Sequence, residues 1–233
     1  MKRRELLRRL GAGVLGGTIA SRSAQTEAIW GEGAGKCAII PEETAGPFGI
    51  DFSENRKYFR REIAEGRPGI PLDLSLTVTN ANDGCSPIAN ARVDVWHCDR
   101  DGVYSGFSSQ PDGVDARGET FCRGIQLSDA EDRVEFRTIY PGWYPGRVTH
   151  IHLQAFLNNG LVATSQLVFP DAVNEAVYKN DAYPRGRNGR IPTNASDWII
   201  STPPGPMDLQ TATTLPNDET GGYSASLLVP IAV

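Results

Sequence analysis

The sequence has no long apolar segment, no paired cysteine motif and only three histidines. None of its apolar stretches approaches the roughly 18 residues of a membrane-spanning helix, so no stable membrane span is predicted. The four cysteines lie 48, 13 and 24 residues apart without a C-x-x-C pair, which argues against a zinc or iron–sulfur site. Internal repeats are absent, and helical periodicity is weak throughout the chain.

Charge is unevenly distributed along the chain. Residues 1–24 carry a net charge of +5, whereas the whole chain carries −5, so the remaining residues carry −10. A body this acidic argues against a nucleic-acid partner, because binding to phosphates requires a basic surface. Hydrophobic residues make up 39% of the 233 residues, which is sufficient for a sizeable core, and 25 glycines with 16 prolines are typical of a turn-rich β fold.

The first 24 residues have the layout of an export signal. A basic stretch (1–9) precedes an apolar, Gly-rich stretch (10–20), and the pair Arg3-Arg4 followed by Leu6 and Leu7 resembles a twin-arginine signal. The sequence therefore predicts a signal at 1–24, a flexible tail at 25–40 and one domain at 41–233. We expect export to the periplasm or beyond; a short basic amphipathic helix is the alternative.

Segments that alternate between apolar and polar residues predict β-strands. They lie at residues 72–79, 91–97, 133–138 and 150–156, with turn signals such as Asp101-Gly102 and Pro141-Gly142 between them. A more continuous apolar run at 161–169 and a last segment at 223–230 also predict strands. This spacing predicts an all-β fold, an antiparallel β-sandwich with little helix, and leaves a barrel as the alternative. One short helix is expected at 171–179, and residues 181–206 are expected to form a long wrapping loop.

The even number of cysteines in an exported protein predicts two disulfides. Of the three pairings, we favour Cys98–Cys122 with Cys37–Cys85, because residues 98 and 122 lie in two short segments that we expect to be neighbouring strands. Four buried free thiols are the alternative.

Two of the three histidines, His150 and His152, lie two residues apart in a predicted strand. Both imidazoles then point to the same face and Ile151 points to the other. Two imidazoles on one face are natural adjacent ligands for a transition metal, although a hydrogen-bonded or exposed pair is the alternative.

Two tyrosines lie in turn-rich segments upstream of this pair. Tyr144 belongs to the cluster at 140–149 (YPGWYPGRVT), and Tyr104 follows Trp96-His97 and a turn. Tyrosine is a poor ligand for divalent metals because its pKa is about 10, but Fe(III) is a hard, highly charged ion that binds phenolate. Two tyrosines and two histidines would hold Fe(III) and leave positions open for a substrate.

The order of these motifs resembles the intradiol ring-cleavage dioxygenases, a family of non-haem Fe(III) enzymes. The resemblance rests on Trp96-His97, Gly102-Val103-Tyr104-Ser105, Pro141-Gly142-Trp143-Tyr144-Pro145, Arg147 and His150-Ile151-His152, and it runs from about residue 41 to 170. It implies a β-sandwich with Fe(III) held by Tyr104, Tyr144, His150 and His152. It also implies that a catechol is cleaved by O2 between its two hydroxylated carbons, giving a muconate-type diacid.

The resemblance assigns further roles around this ligand set. Tyr144 would also accept a proton, Arg147 would lie against the bound catecholate, and Gln166 would lie near the iron. Gly46 and Pro47 would line the substrate pocket. Each role has an alternative: Arg147 could be a surface arginine, Gln166 a polar residue at a strand edge, and Gly46-Pro47 a plain turn.

The remaining candidates near the motifs are expected to be structural. We expect Tyr140 to be a packing residue and His97 to be a core or hydrogen-bonded histidine. The basic run at 185–190 reads as a solvated loop that could also bind an anionic substituent.

The chain also departs from the family pattern. It has no room for the helical N-terminal extension of catechol-type dimers, and it carries a whole ligand set, whereas protocatechuate enzymes pair two related chains. A small catecholic molecule and O2 are the implied partners, but the particular substrate is not implied and a homo-oligomer stays open. Two other function classes remain: a secreted β-sandwich binding module without turnover, and a copper or zinc redox protein.

Overall fold

Nine β-strands and one α-helix form the regular structure of the described residues, which are 37–110, 113–183, 191–202 and 207–233 of a computed structural model. The strands are β1 (Pro71–Asn80), β2 (Ser86–Pro87), β3 (Arg92–Trp96), β4 (Arg123–Leu127), β5 (Arg133–Ile139), β6 (His150–Leu157), β7 (Gly160–Val168), β8 (Thr213–Asn217) and β9 (Gly222–Ile231). Helix α1 (Asp171–Tyr178) follows β7, and short 3-10 turns lie at Arg56–Tyr58, Ala81–Asp83, Asn194–Ser196 and Met207–Leu209. Among these residues, no helix has the length and apolar character needed to cross a membrane.

The strands assemble into two sheets. In the first sheet, β1 pairs with β9 on one edge and with β5 and β2 on the other, and β8 lies beyond β9. The second sheet has the order β4-β3-β6-β7 and is antiparallel throughout. The predicted fold class, an all-β sandwich with little helix, is therefore confirmed.

The period-2 pattern of the sequence explains the core between the two sheets. Every second residue of β1 from Leu72 to Val78 is at most 2% exposed. These residues share one cluster with Val93 of β3 and with Ile151 and Leu153 of β6. Each fully buried side chain of this kind contributes about 1.5–3 kcal/mol to folding, so the inner faces of both sheets are held together by the residues that alternate in the sequence.

Three details of the sheets differ from the expectation. β1 and β9 run parallel; this is compatible with the chain path because β9 is joined by a tight turn to β8 and not to β1. β4 has no recognisable alternation, because its first residue is the buried Arg123. β8 contains Pro216, which is tolerated because, among the described strands, β8 lies at the edge of its sheet and pairs with β9 alone.

One of the two predicted disulfides is present and the other is not. Cys37 and Cys85 form a disulfide, whereas Cys98 and Cys122 are buried free thiols, so the predicted Cys98–Cys122 bond is wrong. The His97 amide donates to the Cys122 carbonyl at 3.1 Å, which places His97, and not Cys98, opposite Cys122 in the continuation of the β3–β4 ladder. Neighbouring residues of a strand point to opposite faces, so the two thiols belong to separate side-chain clusters.

The domain begins earlier than the predicted boundary at residue 41. Besides the disulfide of Cys37, the Ile40 amide donates to the Pro230 carbonyl at 2.9 Å and the Ile40 side chain lies in the core. The predicted export signal (1–24), most of the predicted tail and the basic run at 185–190 lie outside the described residues.

The disulfide closes a long stretch of chain, and its removal tests its contribution to stability. With a sequence separation of 48 between the two cysteines, chain-entropy arguments predict that the variant Cys37→Ser/Cys85→Ser loses about 4 kcal/mol of unfolding free energy. Urea unfolding with and without dithiothreitol measures this loss. Reductant should lower the stability of the wild type and leave the double variant unchanged; an equal response of both proteins would contradict the prediction.

Candidate metal centre

His150 and His152 lie on the outer face of the second sheet, at the beginning of β6. Ile151 between them is fully buried in the core, so the two imidazoles face the other way, with ring centroids 4.8 Å apart. The β3–β6 register places Trp96 opposite His152, and the two rings stack 5.0 Å apart with 2° between their planes. Both histidines are only 1% exposed, so the loops over this face shield them from water.

Two tyrosine hydroxyls converge on one of these imidazoles. The Oη atoms of Tyr104 and Tyr144 lie 3.2 and 3.3 Å from His150 Nε2. The Tyr104 ring also lies 6.1 Å from that of His152, between ring centroids, and stacks on Phe48 at 4.3 Å. The structure thus brings together all four residues that the sequence motifs single out.

A close backbone contact joins the two loops that carry the tyrosines. Gly142 packs so tightly against Arg100 that a Cβ atom at position 142 would clash with the Arg100 carbonyl oxygen. The Gly142 amide also donates to the Asp99 carbonyl at 3.1 Å. Only glycine allows this approach, which gives a structural reason for the Pro141-Gly142 pair upstream of Tyr144.

Buried polar side chains hold the Tyr104 loop in place. Asp99 Oδ1 accepts hydrogen bonds from the amides of Asp101 and Val103, at 2.9 and 3.0 Å. The Gln110 amide group clamps the Tyr104 backbone, accepting from its N–H at 2.6 Å and donating to its carbonyl at 2.7 Å. A single Gln or Asp in a loop has no sequence signature, so sequence reasoning missed both residues.

The protonation of His150 suits a metal ligand. His150 Nδ1 lies 2.6 Å from the Val148 carbonyl oxygen, which can only accept, so Nδ1 carries the proton and Nε2 presents its lone pair to the tyrosines. Burial, together with the nearby Arg147 cation, lowers the pKa of His150 to about 3, and burial holds the pKa of His152 well below its usual value. Both imidazoles are therefore neutral, the form that binds metals.

The donor set fits a hard, highly charged cation. Burial raises the pKa of both the Tyr104 and the Tyr144 phenols, so both are neutral unless a positive charge lies between them. In the part of the chain that the structure describes, no group of three or more His, Cys, Asp or Glu side chains could hold a metal ion. Two phenol oxygens and two imidazoles suit Fe(III), which binds phenolate, better than a divalent ion such as Zn²⁺.

Arg147 is buried beside this donor set and is not a surface residue. It is 7% exposed, and its Nη1 donates to Tyr144 Oη at 3.5 Å while its Nη2 donates to Gln166 Oε1. Its Nε donates to a carboxylate that the sequence did not indicate, Asp197 Oδ2, at 2.8 Å. The guanidinium is therefore fixed on three sides, with one edge directed at a tyrosine of the centre.

Gln166 and the segment around Gly46 form another wall of the centre. Gln166 lies opposite His152 in the β6–β7 register, is fully buried, and donates from Nε2 to the Thr44 carbonyl at 2.8 Å. Gly46 has a positive φ of 66°, and a Cβ atom there would lie 3.3 Å from His152 Cε1. Pro47 follows it and is exposed.

The other two candidates lie away from the donor set. The Tyr140 hydroxyl donates to Asn174 Oδ1 at 2.7 Å, and its ring packs on Phe169. His97 Nδ1 donates to the Cys98 carbonyl at 2.7 Å, and its Nε2 accepts from the Thr138 hydroxyl at 2.8 Å. Burial lowers the pKa of His97 to about 4, so it is a neutral, fully hydrogen-bonded core residue.

Comparisons with known proteins agree with this architecture. A sequence model of the dioxygenase family matches residues 45–160. The protocatechuate 3,4-dioxygenase beta chain of Burkholderia cepacia is 30% identical over 142 residues, 57% of this chain and 56% of that relative. An intradiol ring-cleavage dioxygenase from Tetranychus urticae has a TM-score of 0.74 at 27% identity, over 84% of this chain and 95% of that chain.

A third relative is the dioxygenase domain of a dioxygenase carbohydrate-binding protein fusion from Streptomyces sp. SirexAA-E. It has a TM-score of 0.59 at 25% identity, over 84% of this chain and 99% of that chain. The fold and the buried tyrosine–histidine cluster thus define a dioxygenase-type β-sandwich. The chain belongs to the intradiol ring-cleavage dioxygenase family, as its motifs predict. It spans about half the length of the curated Burkholderia relative.

The histidines differ in their expected contribution to metal binding. We expect His150→Ala and His152→Ala to lower the Fe(III) content per chain by about tenfold or more, because removal of an inner ligand weakens a metal site more than an outer-shell change does. His97→Ala should keep its iron and lose only thermal stability, since His97 bonds to Cys98 and Thr138. Metal analysis of the three purified variants measures the difference. Loss of iron in His97→Ala with full retention in His150→Ala would contradict the assignment.

Proposed function

We propose that this chain is an exported Fe(III)-dependent dioxygenase that cleaves a catechol between its two hydroxylated carbons, using O2 and giving a muconate-type diacid. The observation that carries the proposal is the convergence of the Tyr104 and Tyr144 hydroxyls on His150 Nε2 in a buried site. The family of the chain supports an oxidoreductase that acts on a small molecule and O2.

The names of the relatives support a catecholic substrate class without selecting one member. The Burkholderia relative is named for protocatechuate and the Tetranychus relative only for intradiol ring cleavage. The sequence identities of 30% and 27% are too low for a particular substrate to be carried over. Tyr104, Tyr144, His150 and His152 would hold Fe(III), which would draw electron density from a bound catecholate and give its ring the radical character that allows reaction with triplet O2.

Tyr144 is the better placed of the two tyrosines to take a proton from the substrate. Its oxygen lies 3.5 Å from Arg147 Nη1, and the residue is only partly buried. Tyr104 is fully buried, and its ring is stacked on Phe48. We therefore assign proton transfer to Tyr144 and a fixed ligand role to Tyr104.

Arg147 supplies positive charge to the substrate side of the centre. It is buried, so its interaction with an anion is weakly screened by water. Hydrogen bonds to Gln166 and Asp197 fix the orientation of the guanidinium. The guanidinium therefore does not have to reorient as negative charge develops on the substrate ring. Exclusion of water by Phe48, Trp96 and the Tyr104 loop strengthens the same interaction.

Export is the second part of the proposal. Its support is the basic and apolar layout of residues 1–24 together with the Cys37–Cys85 disulfide, since structural disulfides persist in oxidising compartments. A twin-arginine route would carry the chain already folded around its metal.

The decisive experiment combines metal analysis, visible spectroscopy and product analysis. We expect about one Fe(III) per chain and a visible tyrosinate-to-iron band that changes in Tyr104→Phe and Tyr144→Phe. Tyr140→Phe is the matched control and should keep the band, because Tyr140 bonds to Asn174. Incubation with catechol, hydroxyquinol, protocatechuate and larger plant catechols under ¹⁸O2 should give a ring-opened diacid carrying both labelled atoms.

The same experiment separates the alternatives. A protein loaded with zinc and without a visible band would contradict the metal assignment. An iron-loaded protein that binds catechols without turnover would support a binding module instead.

Arg147 provides a sharper test of the catalytic arrangement. Arg147→Ala should keep iron and colour but lower kcat by about tenfold to a thousandfold, because a charge-stabilising donor is lost. It should also unfold at lower temperature, because Asp197 is left buried without its counter-charge. Arg147→Lys should recover only part of the activity, since an ammonium lacks the planar fork. Steady-state kinetics and thermal unfolding measure both effects; full activity of the Ala variant would rule out the catalytic role.

A further inference from the structure

Asp197 is a fully buried carboxylate that belongs to none of the sequence motifs. Its Oδ2 accepts hydrogen bonds from Arg147 Nε and from the Val148 amide, both at 2.8 Å. Its Oδ1 accepts from the amides of Ile199 and Ile200, at 3.0 and 3.5 Å. Four N–H groups thus surround one carboxylate at 0% exposure, and only one of them belongs to a charged side chain.

The segment around Asp197 is anchored independently of Arg147. The Asn194 amide donates to Asp171 Oδ1 at 2.9 Å, and the Asn194 side chain donates to the Phe169 carbonyl at 2.8 Å. Ile199 and Ile200 pack with Val148 and Val168 in one apolar cluster. The carboxylate is therefore held in place on both sides, and it can act as a fixed point for a flexible side chain.

Arg147 needs such a fixed point. An arginine side chain has several rotatable bonds, and its hydrogen bond to Tyr144 is long, at 3.5 Å. Gln166 holds Nη2 but is neutral. Within the described residues, Asp197 is the only carboxylate at ion-pair distance from Arg147. Because Nε and Nη2 are both engaged, Nη1 is the edge left to face Tyr144.

A second link joins Asp197 to the start of β6. The Val148 amide donates to Asp197, and the Val148 carbonyl accepts the proton of His150 Nδ1. One residue, Val148, thus links the carboxylate to a residue of the donor set. The Arg147 guanidinium and the first residue of β6 are therefore held relative to the same atom, Asp197 Oδ2.

We propose that Asp197 is a positioning residue that acts through Arg147, holding the guanidinium with Nη1 toward Tyr144 and the substrate. This inference rests on the proposed function for its kinetic consequence but not for the contact itself. Asp197 touches neither the donor set nor a substrate, so it is not a catalytic residue. Its effect should disappear when Arg147 is removed.

The kinetic test uses Asp197→Asn, Arg147→Ala, the double variant and the control Asp94→Asn. Asp94 is also buried and paired with an arginine, Arg92, at 3.0 Å, but it contacts none of the four donor residues. The assay is run at about pH 8, because burial raises the pKa of Asp94 to about 6 and the control carboxylate must be ionised. Under these conditions Asp197→Asn should lower kcat by about tenfold to a hundredfold, with a KM change below about threefold. Asp94→Asn should stay within about twofold of the wild type.

The double variant decides whether Asp197 acts through Arg147. Adding Asp197→Asn to Arg147→Ala should lower kcat by no more than about twofold beyond Arg147→Ala alone. A further large loss, or loss of iron and colour in Asp197→Asn by itself, would show a structural role and overturn the inference.

A chemical readout tests the contact without iron or substrate turnover. Modification by phenylglyoxal, followed site by site with mass spectrometry, should be at least about tenfold slower at Arg147 than at the exposed Arg117 in the wild type. Asp197→Asn should remove this protection and Asp94→Asn should keep it. Continued protection in Asp197→Asn overturns the inference even if the enzyme is active. Deprotection in a protein that cleaves no catechol would instead contradict the proposed function alone.

If Asp197→Asn does not fold, Asp197→Glu replaces it, since this variant keeps the charge and moves it by one methylene. The same fall in kcat with retained KM and iron is expected. Wild-type kcat together with wild-type protection of Arg147 would overturn the positioning role.

Discussion

The register of β6 between β3 and β7 is the constraint on which the rest of the site depends. Its successive residues face opposite ways, so Ile151 and Leu153 enter the core while His150 and His152 face the covering loops. A shift of one residue would place two imidazoles in the core and two aliphatic side chains at the metal centre. Burial of the apolar face therefore also selects the face that carries the donors, and pairing with Trp96 and Gln166 orients His152.

The loops above this face supply the remaining donors, and contacts between the loops set the distances. Gly142 approaches the Arg100 carbonyl more closely than any side chain would permit, so the loops of Tyr104 and Tyr144 meet at one point. Gln110 and Asp99 then satisfy the backbone of the Tyr104 loop. The scaffold provides a fixed strand, and the loops bring the chemistry to it.

Charge at the centre is kept low until a cation or substrate enters. The histidines are neutral because burial lowers their pKa, and the phenols are neutral because burial raises theirs. The buried guanidinium of Arg147 is balanced by Asp197 at 2.8 Å. A highly charged metal bound at such a site would favour ionisation of both phenols to phenolates without requiring further acidic residues.

The sequence alone determined the fold class, most strand positions and the order of the four donor residues. Period-2 alternation marks β1, β3, β5 and β6 in the sequence, and a continuous apolar run marks β7. It failed for β4, where a buried arginine interrupts the pattern, and for β8, an edge strand with a proline. The H-x-H pair was informative because a strand has a fixed period, which converts sequence spacing into a shared face.

Only the tertiary structure decided the contacts between segments that are distant along the chain. The Cys98–Cys122 bond failed because the ladder sets Cys122 opposite His97, a register that the spacing of the cysteines does not reveal. Asp197 lies 50 residues from Arg147 in a segment without periodicity, so nothing local in the sequence marks it. The Asp197 carboxylate reaches the Arg147 guanidinium only because its loop packs on the sheet, and such packing leaves no periodic pattern in the sequence.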